Sequence, residues 1–331
     1  MARVLYVISR DNTFTRIDRE ALAERHEVVD YFQYGVRPRP GELWRKLRAC
    51  DVVVGWFASW HTALALRMAR LARKPSVLIF GGFDTAAVPE IGYGSQRGGI
   101  RRHLVRSTAN LATRLVTNSN YTLGEIERNV RIDPRRVAVV YHGVPDRFGE
   151  PSPERARMAL SVGVVYELNL KRKGHGPFIE AARLLDDVEF VLAGKWLDDT
   201  GERLAATAPP NARLTGFLED EELDELFRTA AVYVQASVHE GFGLSLAEAM
   251  LAGAVPVVTR AGALPEVVGP TGVYIEEPTP EAVAAGIRKA LELGPAAGRA
   301  ARERVLTHFP YEARRDGLLE QVERALAGER S

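Results

Sequence analysis

Short apolar runs rich in Val, Ile, Leu and aromatic residues recur along the chain, and stretches with helical spacing separate them. In the first half these runs predict strands at 4–8, 28–32, 52–56, 77–80, 115–118 and 137–141. Their continuous apolar character, rather than strict alternation, suits parallel strands covered on both faces. Helical stretches such as 62–73 and 122–129 lie between them, so the alternation predicts a doubly wound α/β sheet.

The pattern then restarts, with predicted strands at 162–166, 189–193, 213–216, 232–236, 256–259 and 272–275. Gly, Pro, Asp and Ser cluster at 143–154, with Pro145, Pro151 and Pro153, and read as a hinge-like linker. A final helix over 311–326 follows His308-Phe309-Pro310. The expected organisation is a first Rossmann-like domain over 1–148 and a second over 149–308, facing a cleft. A C-terminal helical segment, 309–331, is expected to pack back towards the first domain.

Composition narrows the function classes. A length of 331 residues suits two α/β domains, and a net charge of +1 gives no reason to expect a nucleic-acid partner. The single cysteine, Cys50, excludes an internal disulfide and reads as a small core residue. The N-terminus enters a strand at once and no run of about 18 apolar residues occurs, which predicts a cytoplasmic protein without a membrane span.

The most informative stretch runs from Ala236 through Ser-Val-His-Glu240-Gly-Phe-Gly243-Leu-Ser-Leu-Ala-Glu248-Ala-Met to Gly253-Ala-Val-Pro256. A strand leads into a Gly-Phe-Gly turn, and a helix begins near Leu244. Gly241 and Gly243 carry no side chain where backbone could approach a ligand. The helix N-terminus behind them offers unpaired N–H groups and about half a positive charge, a setting for a diphosphate. Glu240 and Glu248 are eight residues apart, about 12 Å if helical throughout, too far for a hydrolytic carboxylate pair. Their spacing suits gripping two ends of an extended ligand. A turn followed by a helix with a solvated Glu248, capped at Gly253, is the other reading of the same residues.

These residues resemble the E-x7-E signature of the family-four glycosyltransferases, which share the GT-B fold. Glu240-Gly-Phe-Gly, Glu248-Ala-Met and Gly253-Ala-Val-Pro-Val-Val match its motif, and Ala263-Leu-Pro-Glu266-Val-Val-Gly269 matches a downstream loop. Leu218 to Leu226, Asn118-Ser-Asn-Tyr-Thr and Tyr141-His-Gly-Val match further landmarks. The resemblance covers most of the chain and is densest over 160–290.

It implies a retaining, metal-independent hexosyltransferase that uses a UDP- or GDP-linked sugar as co-substrate and needs no cofactor. Glu240 would bind hydroxyls of the donor sugar. Gly241, Phe242, Gly243 and Leu244 would meet sugar and phosphates, Glu248 the ribose, and Phe217 and Leu218 the base. The family's diphosphate lysine matches Lys173. Its arginine slot is Val164, so the diphosphate lacks one cation unless Lys171 or Arg172 substitutes. A fixed cation facing leaving-group charge is usually a large catalytic factor.

On the acceptor side the family's histidine position holds glycine, in Gly81-Gly82-Phe-Asp84, while Asp84 persists as a candidate catalytic residue. His61 and Arg97 are further candidates, the latter in a glycine-bearing loop expected to be mobile. The acceptor would be a sugar, lipid or small molecule. The arginines after residue 97 leave contact with the inner membrane face open, against a plain solvated helix start. A non-catalytic nucleotide-sugar-binding subunit and a nucleotide-sugar epimerase are the competing functions on the same fold.

Overall fold

A computed structural model describes residues 1–33 and 37–329. Residues 34–36 of the expected first domain and 330–331 of the expected C-terminal segment lie outside the described residues. The chain divides into two compact units, Met1–Gly143 with Tyr311–Ser331, and Val144–Pro310. The break thus falls five residues before the expected boundary, because residues 146–148 bond to the second unit, as described below.

The first unit carries β1 (Arg3–Ile8), β2 (Glu27–Phe32), β3 (Val52–Trp56), β4 (Ser76–Phe80), β5 (Arg114–Thr117) and β6 (Val137–Val139). They form one parallel sheet of order β2-β1-β3-β4-β5-β6. Strands β3 and β4 are buried at every position, as a sheet covered on both faces requires. On one face Leu43 and Leu47 of α2 (Pro40–Arg48), Leu66 of α3 (Trp60–Leu71) and Val105 of α4 (Gly99–Ala109) share a core with Leu5, Val53 and Leu78. On the other, Leu22 of α1 (Thr13–Ala23) and Leu318, Leu319 and Val322 of α13 (Tyr311–Leu326) cover Val4, Tyr6 and Val54. The expected last helix has these same bounds, and it belongs to this unit. The helical stretch expected over 122–129 is α5 (Asn120–Glu125) continued by a π-helical turn over Ile126–Val130.

The second unit carries β7 (Ala156–Val162), β8 (Glu189–Ala193), β9 (Ala212–Gly216), β10 (Ala230–Gln235), β11 (Val255–Thr259) and β12 (Val273–Ile275). Their order, β12-β11-β10-β7-β8-β9, reverses between β10 and β7. In an open α/β sheet that reversal opens a crevice at the carboxyl ends of the two strands, where ligands bind. The helices of this unit are α6 (Glu167–Arg172), α7 (His175–Ala181), α8 (Thr200–Thr207), α9 (Asp220–Thr229), α10 (Leu244–Leu251), α11 (Leu264–Val268) and α12 (Pro280–His308). The last breaks at Gly294, which has non-helical dihedrals and precedes Pro295.

One predicted strand is corrected. The run 162–166 is not a strand: β7 ends at Val162, and its ladder with β8 runs from Met158–Glu189 to Val162–Ala193. Beyond it Gly163 meets Gly194 backbone to backbone, so closely that a Cβ on Gly194 would stand 2.0 Å from the Gly163 carbonyl oxygen. The segment expected as strand is therefore loop, at the reversal point.

Candidate functional site

The crevice at the β7–β10 reversal collects most of the predicted donor residues. After β7, the loop 163–166 and α6 deliver Arg172 and Lys173. After β10, residues 236–243 deliver Glu240 and the Gly-Phe-Gly turn, and α10 begins at Leu244. Two backbone contacts bring these segments together. Val238 N–H donates to the Arg172 carbonyl at 2.9 Å, and Gly174, at φ 72°, lies where a Cβ would be 2.3 Å from the Ala236 carbonyl oxygen. Only glycine fits there.

Lys173 Nζ donates to Glu240 Oε2 at 2.6 Å, and Gln235 Nε2 donates to the same oxygen at 2.7 Å. Both side chains of the ion pair are largely buried, at 18% and 14% exposure. Burial alone would push the Glu240 carboxyl up, but the charges of Lys173 and Arg172 outweigh it and hold the carboxyl below its ordinary value. Gly262 closes the other side of the turn, with space for no Cβ beside the Glu240 backbone, and Ala263 N–H donates to the Glu240 carbonyl at 2.9 Å.

Gly243 caps α10 in the left-handed region, at φ 100°, and the helix's first N–H groups face the turn. Gly241 is buried, and Phe242 packs edge-on against Phe309 at 5.3 Å between ring centres. The Phe242 ring is thus an anchor for the turn, which leaves its backbone to face a ligand. Glu248 lies on α10 with its side chain 6% exposed, bonded to Arg147 Nη2 at 3.1 Å. Burial pushes its carboxyl up, and Arg147 offsets that only in part. Phe217 is 65% exposed just past the end of β9, with Leu218 beside it. Val164, in the family's arginine slot, is exposed, and the Asn169 side chain links its carbonyl to the half-buried Arg172. Asn169 Nδ2 donates to the Val164 carbonyl at 2.6 Å, and Arg172 Nε donates to Asn169 Oδ1 at 2.8 Å. Lys171 is exposed.

The acceptor-side candidates lie in the first unit, after β3 and β4. Asp84 is 2% exposed; its Oδ2 accepts from Ala58 N–H at 2.8 Å and its Oδ1 from Gly81 N–H at 3.0 Å. Both carboxylate oxygens therefore tie the loops after β3 and β4 together. His61 is buried, with Nε2 bonded to the Trp56 carbonyl at 2.8 Å, and burial lowers its basicity. Gly82 is buried at φ 105°. In the loop expected to be mobile, residues 94–96 are buried. Ser95 Oγ and Gln96 Nε2 donate to the Asp84 carbonyl at 2.8 and 2.7 Å, while Arg97 is exposed and bonds its own turn, at the Gly94 carbonyl.

Sequence reasoning missed Gln235, Asn169, Arg147 and Asp224. Gln235 carried a signal, as the last residue of a strand entering the Gly-Phe-Gly turn. Arg147 and Asp224 carried none, because they meet Glu248 only through the tertiary fold.

A family model for glycosyl transferases group 1 matches residues 145–304, and one for glycosyltransferase family 4 matches residues 7–148. The chain belongs to the family-four glycosyltransferases, with the two Rossmann-like parallel-sheet domains of the GT-B fold. Among its relatives is an MMP alpha-(1->4)-mannosyltransferase of Mycolicibacterium hassiacum, 34% identical over 171 residues, which are 50% of this chain and 41% of the relative. A D-inositol 3-phosphate glycosyltransferase of Mycolicibacterium vanbaalenii is 27% identical over 84% of this chain and 66% of its own length. The chain thus spans less than half of the first relative and about two thirds of the second. Anabaena HepE, solved in complex with UDP-glucose, superposes with a TM-score of 0.82 at 16% identity, over 98% of this chain and all of that one. Sucrose-phosphate synthase from Thermosynechococcus elongatus gives 0.78 at 15% identity, over 99% of this chain and 100% of its own.

Proposed function

We propose that this protein transfers a hexosyl group from a nucleotide diphosphate sugar to an acceptor hydroxyl, with retention at the anomeric carbon and without a metal ion or other cofactor. The observation that carries this reading is the Lys173–Glu240 pair beside the Gly-Phe-Gly turn, at the reversal point of the second sheet. A pyrophosphate placed over the N-terminus of α10 meets the helix N–H groups, the Lys173 ammonium and the Arg172 guanidinium. Together these stabilise charge developing on the leaving group. Glu240, kept ionised by the same cations, accepts hydrogen bonds from donor-sugar hydroxyls. Glu248 takes the ribose hydroxyls, and the exposed Phe217 ring, with Leu218, flanks the base. The UDP-glucose complex of HepE supports a nucleotide-sugar donor in this fold.

Retention is read, as the family resemblance implies, with front-face attack in which the diphosphate assists the incoming hydroxyl. Asp84 and His61 serve to shape the loops on the acceptor side, with Gly82 giving close backbone approach. The acceptor is a sugar, lipid or small molecule with a free hydroxyl. The protein works in the cytoplasm; among the described residues no helix is long and apolar enough to cross a membrane.

Thermal-shift measurements against UDP-, GDP- and ADP-sugars test the reading. The true donor at a hundred times its dissociation constant adds about 2.7 kcal/mol of stability. Nucleoside diphosphate release from that donor, lost in Glu240→Ala, identifies turnover. An epimerised sugar from donor alone, or no shift with any donor, would overturn the assignment.

A further inference from the structure

Residues 146–148, read in the sequence as part of a hinge-like linker, are bonded to the second unit at several points. Asp146 Oδ1 accepts from Arg302 Nη1 at 3.1 Å, and the same Nη1 donates to the Leu251 carbonyl at the end of α10. The Phe148 ring meets Phe227 of α9 edge-on at 5.9 Å between centres, with the Arg147 and Arg228 guanidinium groups over it at 4.7 and 5.5 Å. Arg147 sits at the middle of this strap. Its Nε and Nη2 clasp the Asp224 carboxylate at 2.8 to 2.9 Å, and Nη2 also reaches Glu248 Oε1 at 3.1 Å.

We infer that Arg147 is a positioning residue for ribose recognition: it occupies Oε1 of Glu248 and turns the other carboxylate oxygen, Oε2, to the ribose 2′- and 3′-hydroxyls. The inference rests on the assignment of Glu248 to the ribose. A carboxylate this deeply buried has few ways to hold both its charge and its orientation without a partner. Arg147 supplies both, and its rigid fork is itself held by Asp224, so the three groups act as one device. The strap also makes a residue of the linker part of the nucleotide site.

The groups facing Glu248 set the pH behaviour. Arg147 favours the carboxylate, while Asp224 and Asp220 of α9 oppose it, and the phenol of Tyr233 on β10 lies within its electrostatic reach. With Arg147 gone, only burial and like charges remain, so protonation of Glu248 and loss of the ribose contact move to higher pH.

The test uses the full chain and calorimetric titration with whichever of UDP, GDP and ADP binds most tightly, beside its 2′,3′-dideoxy analogue. The unaltered protein should prefer the ribose form by about tenfold or more, the scale of a hydrogen bond to a charged acceptor. Glu248→Gln should lose that preference. Arg147→Met should lose most of it while binding the dideoxy form within roughly twofold of the unaltered protein, which a misfolded variant would not do. Arg147→Lys, which keeps the charge but not the fork, should fall between. On acidification the preference should disappear at higher pH in Arg147→Met. If Arg147→Met keeps the full preference that Glu248→Gln loses, the positioning role is overturned and the ribose assignment stands. If the unaltered protein shows no preference, the ribose assignment falls and the positioning role with it.

Discussion

The ring of Phe57 fills the space in which a side chain at position 81 would lie: a Cβ on Gly81 would stand 2.1 Å from Phe57 Cε1. Phe57 holds this pose in the left-handed region, at φ 63°, a conformation that strains any residue with a Cβ. Glycine at position 81 thus leaves room for an aromatic ring that enters from the loop after β3.

A double-mutant cycle measures that relationship. Gly81→Ala should destabilise the protein by about 1–3 kcal/mol, as overpacking does. In a Phe57→Gly background, which also relieves the left-handed strain, the same change should be nearly neutral, a coupling of at least about 1 kcal/mol. Urea denaturation of the four proteins gives the answer, and additive effects would refute the contact.

Lys173 and Glu240 should prove inseparable in turnover. Lys173→Met removes a fixed cation from the leaving group and should lower kcat about 10²- to 10³-fold. Glu240→Gln should also lower kcat, and the double variant should be little worse than Lys173→Met alone, because residues acting as a unit are not additive. Steady-state assays of nucleoside diphosphate release decide the matter; full activity in Lys173→Met would refute the phosphate role.

Asp84 predicts a pH dependence of stability. Burial pushes its carboxyl up to about 6, against the Ala58 and Gly81 N–H groups that favour the ionised form. In the unfolded chain it titrates near about 3.9, so between about pH 4 and 6 the folded state holds the proton that the unfolded state has released. The stabilisation is complete below the unfolded value and is lost as pH rises through the folded one. The gap between the folded and unfolded values is worth roughly 3 kcal/mol at most. The stability difference between the unaltered protein and Asp84→Asn, from urea midpoints at several pH values, should therefore move towards the variant across pH 4 to 6. Parallel profiles would refute it.

The last helix is clamped to the first unit by a fully buried ion pair. Arg314 Nε and Nη2 bond Asp18 Oδ1 and Oδ2 at 2.8 and 2.6 Å, Trp56 Nε1 donates to Asp18 Oδ2 at 2.9 Å, and Arg314 Nη1 donates to the Val140 carbonyl. Arg314→Ala strands a buried carboxylate and should cost about 3–5 kcal/mol. Asp18→Asn combined with Arg314→Leu should cost less than Arg314→Ala, since no unpaired charge remains. Chemical denaturation of both variants tests this, with the opposite ranking as the refuting result.

Much of this protein is legible in one dimension. Among the described residues, the apolar runs place eleven of twelve strands within a few residues, because a parallel strand covered on both faces must be apolar throughout. The turn at Glu240 to Leu244 and the helix behind it follow from glycines and spacing alone, as does the final helix. Other features were decided only when the sheet assembled. The strand after the linker ends at Val162 rather than beginning there, because register with β8 and the backbone contact of Gly163 with Gly194 choose its limits. Asp84 became a loop tie, and Arg147 reached Glu248 from 101 residues away. Periodicity reports which face of an element is buried, whereas the partner of a charged side chain depends on which distant elements the topology sets beside it.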